Sequence, residues 1–178
     1  MYNNATNAGL FLINSLFELY ILVLVIRLLL AYASANYFNP ITQVIIKLTA
    51  PLVNPLRRVL PNFFRIELST LLLIFLFEII KIALISLLSV GELNVFFIVM
   101  LATTATIKFI LQILFYAILL QAILSWFPTG YSPASQVLDQ ITSPVLRPMR
   151  RIIPPIQGID ISPIPALILL QVLIILFP

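Results

Sequence analysis

Four apolar segments determine what this chain can fold into. Residues 10–35, 68–90 and 95–127 are each long enough to cross the hydrocarbon core of a bilayer, which takes about 20 helical residues. A fourth segment, residues 164–177, is shorter and marginal for a crossing. With 62% hydrophobic and 9% charged residues, the composition is too apolar for an ordinary soluble domain. We therefore predict an all-α membrane protein with four transmembrane helices.

A motif of prolines and arginines occurs twice, once in each half of the chain. The first copy, residues 51–61, reads Pro-x-x-x-Pro-x-Arg-Arg-x-x-Pro, and the second copy, residues 144–154, has the same spacing. Around the first copy, 11 of the 30 positions from 40 to 69 are identical to the positions 93 residues later. The sequence therefore predicts two parallel repeats, residues 1–92 and 93–178, each with two spans and one motif-bearing loop.

Each long loop is predicted to form an amphipathic helical segment at the membrane interface. Asn39 and Ser132 each precede a proline, which is the arrangement that starts a capped helix. A second short helix is expected to begin near Pro51 and near Pro144, with a bend at the next proline of the motif. In that helix the basic residues share one face and apolar residues share the other, as in segments that lie among lipid headgroups.

The basic face of these loops is the predicted binding surface. Arginine holds phosphate through its planar fork of donors, so the expected partners are anionic lipids of the bilayer or an acidic surface on a membrane protein. Anchoring at the membrane edge is the alternative, although loose anchors need no fixed proline spacing. The candidate residues are Arg57, Arg58, Arg147, Arg150 and Arg151.

The lysines and arginines also predict the orientation of the chain. Seven of the ten lie in the two long loops, and none lies in the short turn or the N-terminal segment on the opposite face. By the positive-inside rule, the loops are cytoplasmic and both termini are outside. The first apolar segment has no positively charged flank, so we expect it to be retained and not cleaved as a signal peptide.

Four charged residues within the predicted spans form a candidate network: Glu18, Glu78, Lys81 and Lys108. An ionised group in a bilayer is costly, so it is usually paired or faces a cavity. From their depths we expect Glu18 to pair with Lys81. Glu78 is expected to pair either with Lys108 on another helix or with Lys81 on its own. Arg27 lies nearer the loops and can extend to the interface. Structural ion pairs are the favoured interpretation, and an ion or proton pathway is the alternative.

The chain contains no histidine and no cysteine. Disulfides, the usual zinc and haem ligands, and the commonest general base near neutral pH are therefore missing. We assign no catalytic, cofactor-binding or metal-binding residue, and no spacing of serine and carboxylate residues supports an enzyme. Nucleic acid is not an expected partner, because seven basic residues divided between two loops make a poor phosphate track.

The repeated motif and its flanks resemble the YggT/YlmG family of bacterial and plastid membrane proteins. Each copy is followed by an acidic residue and a serine, and the likeness extends to Glu18-Leu19-Tyr20, Phe38-Asn39-Pro40, Glu67-Leu68-Ser69, Ser125-Trp126 and Asp160-Ile161-Ser162. The resemblance covers almost the whole chain and fits the two-repeat form typical of proteobacteria. It implies a multi-pass protein of the bacterial inner membrane without assigned catalytic residues. Members are associated with cell division and nucleoid organisation, with cytochrome maturation in plastids, and with tolerance of osmotic shock through ion uptake.

Two functions agree with these features. The first is a non-enzymatic adaptor or assembly factor that acts through its basic loops in the cell envelope, in division or in a membrane complex. The second is an ion-homeostasis or osmotic-stress protein, of the potassium-uptake type, that moves or regulates an ion. The adaptor hypothesis makes the motif arginines essential, whereas the transport hypothesis makes the intramembrane charges essential. Transport would require an oligomer or a gap between the halves, because a four-helix monomer has little room for a pore.

Overall fold

The computed structural model describes residues 4–89, 91, 93–125, 132–153 and 160–177. The prediction of an all-α chain is confirmed for this part, and each of the four predicted apolar segments forms a helix. The helices are α1 (Asn4–Tyr32), α2 (Pro40–Arg57), α3 (Leu68–Ser89), α4 (Val95–Leu124), α5 (Pro133–Ile152) and α6 (Pro163–Leu176).

Three of the described helices, α1, α3 and α4, are long and apolar enough to cross a membrane. The helix α6 is equally apolar but has 14 residues, so it is about 21 Å long. Its side chains Ile168 and Ile175 are exposed, as are Phe11 and Leu16 of α1. Large apolar side chains around the outside of a helix are typical of a helix surrounded by lipid.

The helices pack as two similar groups. In the first group α1 packs against α3 and α2 contacts both, while in the second α4 packs against α6 and α5 contacts both. The buried core of the first group includes Ile21 and Ile74, and that of the second includes Ile118 and Ala166. A short turn joins α3 to α4, and in it Gly91 has a φ of +77°, a conformation that favours glycine. Both α2 and α5 lie at the same end of the molecule, which we call the loop face.

The helices α2 and α5 begin where the sequence predicts, but they do not break at the motif prolines. Asn39 caps α2 and Ser132 caps α5. Each helix then continues through two prolines, so the prediction of a second helix beginning near Pro51 or Pro144 is wrong. A proline within a helix deprives the carbonyl four residues earlier of its donor. In α2 those carbonyls belong to Lys47 and Pro51, and both residues are exposed to hydration.

The two loop-face helices meet at their N-terminal ends. The Asn39 side-chain amide donates to the Pro133 carbonyl at 2.9 Å and to Gln136 Oε1 at 3.2 Å. The Asn36 backbone N–H donates to Gln140 Oε1 at 3.3 Å. A single cap residue therefore starts α2 and also joins it to α5, which links the two groups of helices at the loop face.

Candidate functional site

A buried arginine–carboxylate pair joins α1 to the residue that precedes α3. Arg27 Nε lies 2.9 Å from Glu67 Oε2, and Arg27 Nη2 lies 2.9 Å from Glu67 Oε1. This is the forked geometry of a charge-assisted arginine–carboxylate contact. Only 5% of Arg27 and 4% of Glu67 is exposed. The prediction that Arg27 extends to the interface is therefore wrong, because its charge is neutralised inside the protein.

Two threonines complete this arrangement. Arg27 Nη1 donates to Thr49 Oγ1 at 2.8 Å, and Thr70 Oγ1 donates to Glu67 Oε2 at 2.6 Å. Burial alone raises the pKa of Glu67. The hydrogen bonds from Arg27 and Thr70, with the charges of Arg27 and Arg57, outweigh burial and hold that pKa below its ordinary value. We call Arg27, Thr49, Glu67 and Thr70 the Arg27 cluster, and it links α1, α2 and α3.

Arg57, the first arginine of the motif, lies beside the Arg27 cluster. Its Nε is 3.9 Å from Glu67 Oε1, which is too long for a hydrogen bond, and about half of its side chain is exposed. Both Glu67 oxygens already accept hydrogen bonds from Arg27. The guanidinium of Arg57 therefore adds a nearby positive charge, and its N–H groups are not used by Glu67. A cavity of about 210 Å³ opens here, and its lining includes Arg57, Arg65 and Thr42.

In the second copy of the motif, the first arginine forms a direct hydrogen bond with the acidic residue that follows the motif. Arg150 matches Arg57, and Asp160 matches Glu67. Arg150 Nε donates to Asp160 Oδ2 at 2.8 Å, and the Ser162 N–H donates to Asp160 Oδ1 at 3.0 Å. Burial raises the pKa of Asp160, but the hydrogen bonds from Ser162 and Arg150 and the charge of Arg150 outweigh it, so the pKa lies below its ordinary value.

The residue on the preceding span explains this difference between the two copies. In the first copy, Arg27 of α1 neutralises the acid. In the second copy Thr142, which matches Thr49, contacts Gln121 of α4 instead of an arginine: Gln121 accepts a hydrogen bond from Thr142 and donates one to Asp139. A neutral amide cannot neutralise Asp160, so the motif arginine does so instead.

The remaining candidate arginines, Arg58, Arg147 and Arg151, are exposed. Among the residues that the structure describes, none of the three forms an ion pair. The structure thus divides the five candidates into two kinds. Arg57 and Arg150 approach an acid within the chain, and the other three are available for contacts outside it.

Three of the four predicted intramembrane charges come together. Lys81 Nζ lies 2.8 Å from Glu78 Oε2 on the same helix and 3.9 Å from Glu18 Oε1 on α1. The contact between Lys81 and Glu78 is an ion pair without the alignment of a hydrogen bond. Lys108 forms no ion pair within the described ranges, so the expected contact with Glu78 is absent. Glu78 instead pairs with Lys81, which lies one turn further along the same helix.

Neither Glu67 nor Thr49 is among the predicted site residues. Both recur 93 residues later, as Asp160 and Thr142. That recurrence, with Arg27 at the loop-face end of its span, is the signal that could have identified the Arg27 cluster. In the part of the chain that the structure covers, no group of three or more histidine, cysteine, aspartate or glutamate side chains is placed to hold a metal ion.

Comparison with known proteins places these residues among related sequences. The family model described as CCB3/YggT matches residues 6–88 and 100–177. A relative from Vibrio alginolyticus, named "Uncharacterized protein in proC 3'region", is 40% identical over 158 residues, which are 88% of this chain and 85% of the relative. The protein YggT of Escherichia coli strain K12 is 36% identical over 167 residues, 94% of this chain and 87% of its own. The protein PA0392 of Pseudomonas aeruginosa is 34% identical over 169 residues, 93% of this chain and 86% of its own. No solved structure is significantly similar to the chain.

Proposed function

The chain belongs to the CCB3/YggT family, and we propose that it acts in the bacterial inner membrane as a non-enzymatic adaptor or assembly factor. In this proposal α1, α3, α4 and α6 cross the membrane as two parallel repeats, and α2 and α5 lie at the cytoplasmic interface. Seven of the ten lysines and arginines belong to the loop face, which supports this orientation. The proposed partners are anionic lipids and a membrane protein with an acidic surface.

The exposed second arginine of each motif copy is the observation that carries this proposal. Arg58 and Arg151 occupy the same motif position, and neither has an ion-pair partner in the described residues. A guanidinium without an internal partner presents its forked donors to phosphate or carboxylate groups outside the protein. Its presence at the same place in both copies favours a binding surface over an incidental surface charge.

This role is tested by complementation of a bacterial strain from which the gene for this protein has been deleted. Arg58→Gln combined with Arg151→Gln is expected to abolish complementation, measured as growth after osmotic shock and as cell length in division. Membrane insertion and the unfolding midpoint should stay unchanged, because neither side chain has an ion-pair partner in the described structure. The charge-conserving pair Arg58→Lys and Arg151→Lys shows whether the forked geometry or the charge alone is needed.

Lys47 provides a control for loss of charge at the same face. It is exposed on α2 outside the motif, so Lys47→Gln is expected to complement fully. Full complementation by the variant that lacks Arg58 and Arg151, at normal protein level, would contradict the adaptor role and leave these arginines as membrane anchors.

An ion-homeostasis function is the second candidate, and the group formed by Glu18, Glu78 and Lys81 favours it. Ionisable groups within a membrane span are functional candidates by default. Lys81 stands between carboxylates from two different helices, so ionisable groups of α1 and α3 meet at one place in the proposed membrane region. The same contacts also hold α1 against α3, which is the structural interpretation.

A neutral replacement of this group separates the two interpretations. Glu78→Leu, Lys81→Leu and Glu18→Gln together remove the charges without leaving one unpaired, and such replacements of buried ion pairs are often neutral or stabilising. Loss of osmotic tolerance in a folded, inserted triple variant would support the ion function, and retained tolerance would exclude it. Glu78→Leu alone is the control, because it should destabilise the protein by leaving Lys81 with only the more distant Glu18.

A further inference from the structure

The cavity at the loop face is lined by two arginines that the fold does not neutralise. Three arginines and one glutamate line it, so a surplus of two positive charges remains once Arg27 and Glu67 are paired. The surplus belongs to Arg57 and Arg65. In the described structure neither donates a hydrogen bond to a carboxylate, and Arg57 only approaches Glu67 at 3.9 Å.

A buried hydroxyl without a partner lines the same cavity. Thr42 is 1% exposed, and its Oγ1 has no hydrogen-bond partner within the described ranges. The matching residue of the second copy, Ser135, uses its hydroxyl internally: Ser135 Oγ donates to the Ser132 carbonyl at 2.8 Å and accepts from the Ser132 N–H at 3.1 Å. A buried polar group without a partner is costly in a native fold, and the Thr42 hydroxyl is therefore available to bond a group held in the cavity.

Arg65 is presented to this cavity from a closed turn. Phe63 and Ile66 exchange both backbone hydrogen bonds, at 3.1 and 3.0 Å, which leaves Phe64 and Arg65 at the tip. Phe64 has a φ of +53°, a left-handed conformation that a bulky residue keeps only where the surrounding structure imposes it. The guanidinium of Arg65 therefore projects from a fixed backbone position.

We infer that this cavity binds a phosphate group, with Arg57 and Arg65 as forked donors and the Thr42 hydroxyl as a further donor. Guanidinium groups match phosphate oxygens in geometry and charge. The cavity of about 210 Å³ is several times the roughly 30 Å³ that one water molecule occupies in the liquid. A basic pocket beside membrane helices is a typical site for an anionic lipid headgroup, and free phosphate offers the same chemistry. The inference deepens the proposed function and depends on it for the orientation toward cytoplasmic anionic lipid.

Ligand-dependent stability tests the site and identifies the source of the phosphate. The full-length protein in detergent is titrated with inorganic phosphate at constant ionic strength, and its unfolding midpoint is followed by circular dichroism. The same midpoint is measured in nanodiscs of phosphatidylcholine with and without phosphatidylglycerol. A ligand that binds only the folded protein raises the midpoint. A rise with phosphatidylglycerol alone assigns the site to a lipid headgroup, and a rise with inorganic phosphate assigns it to the free ion; either result supports the inference.

Thr42→Val is the sharpest variant, because it removes the hydroxyl and keeps the shape of the side chain. Without ligand its midpoint should be equal to or above that of the unmodified protein, since a buried hydroxyl without a partner is lost. Its affinity for the ligand should fall about tenfold, as expected for one hydrogen bond to a charged group. Arg57→Gln with Arg65→Gln should abolish the ligand-dependent rise. Lys47→Gln is the control: it removes a positive charge from the loop face outside the cavity lining and should keep the rise.

Two outcomes overturn the inference: no rise with either ligand, or an equal rise in the variant that lacks Arg57 and Arg65. The proposed adaptor function would survive such a result if the variant lacking Arg58 and Arg151 still failed to complement. Conversely, a rise that requires Thr42, together with full complementation by the Arg58 and Arg151 variant, would establish the phosphate site and refute the adaptor role.

Discussion

Separating Arg27 from Glu67 is expected to cost far more stability than separating Arg150 from Asp160. Both side chains of the first pair are almost fully buried and share two hydrogen bonds of 2.9 Å. Breaking such a pair by removing one partner costs about 3–5 kcal/mol, because a buried charge is left uncompensated. For Glu67→Gln, which leaves the guanidinium in place, we expect about 4 kcal/mol.

Arg27→Met should cost somewhat less than Glu67→Gln. Arg57 is already 3.9 Å from Glu67 Oε1 and can move closer to the carboxylate, so we expect a loss of about 3 kcal/mol. The double variant removes both charges and should lose no more than Glu67→Gln alone. The coupling energy between the two positions is therefore at least about 3 kcal/mol, more than a hundredfold in the unfolding equilibrium.

The contact between Arg150 and Asp160 is the matched control. Its side chains are 43% and 25% exposed, and exposed ion pairs typically contribute about 0–1 kcal/mol. Asp160→Asn keeps an oxygen that accepts from the Ser162 N–H, so a cycle of Asp160→Asn and Arg150→Met reports mainly on the arginine contact. We expect a coupling energy below about 1 kcal/mol there.

Reversible unfolding in mixed micelles of dodecyl maltoside and dodecyl sulfate, followed by circular dichroism, gives the free energies for both cycles. The comparison is internal, because both cycles use the same protein, the same kind of side chains and the same denaturant. A coupling energy between Arg27 and Glu67 no larger than that between Arg150 and Asp160 would refute the conclusion that burial and forked geometry make the first pair the stronger one.

Three further perturbations test other parts of the structure. Because the pKa values of Glu67 and Asp160 are lowered in the fold, their stabilisation is fully present above the ordinary carboxyl range, about pH 4, and is lost as the pH falls through the lower folded values. Unfolding free energies measured against pH should show this loss, with a smaller loss in Glu67→Gln. Asn39→Ala removes a helix cap and two bonds to α5 and should cost about 2 kcal/mol in the micelle assay, against about 1 kcal/mol for Ser132→Ala. Gly91→Ala places a Cβ in open space at a φ of +77°, so only backbone strain of about 1–2 kcal/mol should appear, with less for Gly91→Asn.

The spans and the helix starts could be predicted because they depend on local sequence. A run of apolar residues must satisfy its own backbone hydrogen bonds in lipid, which makes it a helix wherever its neighbours lie. The caps at Asn39 and Ser132 follow from a polar side chain directly before a proline, a pattern two residues long. The described helices confirm both caps, and three of the four predicted spans are helices long and apolar enough to cross a membrane.

The continuity of α2 and α5 could not be predicted locally, because packing overrides the prolines. Val53, between the prolines of α2, is fully buried, and Leu146, between those of α5, is 1% exposed. These two side chains pack each helix against its neighbouring helices at the turn where the prolines remove backbone hydrogen bonds. The Arg27 cluster was missed for a related reason. Arg27 and Glu67 are 40 residues apart, and neither periodicity nor depth shows that their side chains meet.

The two motif copies diverge in what the preceding helix supplies to the threonine and the acid. Arg27 neutralises Glu67 and thereby leaves Arg57 with available donors beside a cavity. In the second copy the neutral Gln121 contacts the matching threonine, and Asp160 pairs with the motif arginine Arg150. Each of these partly or fully buried carboxylates precedes an apolar helix and needs one cation, and the source of that cation decides whether the motif arginine is structural or available. The same motif therefore supports the fold in the second copy and presents a spare guanidinium in the first.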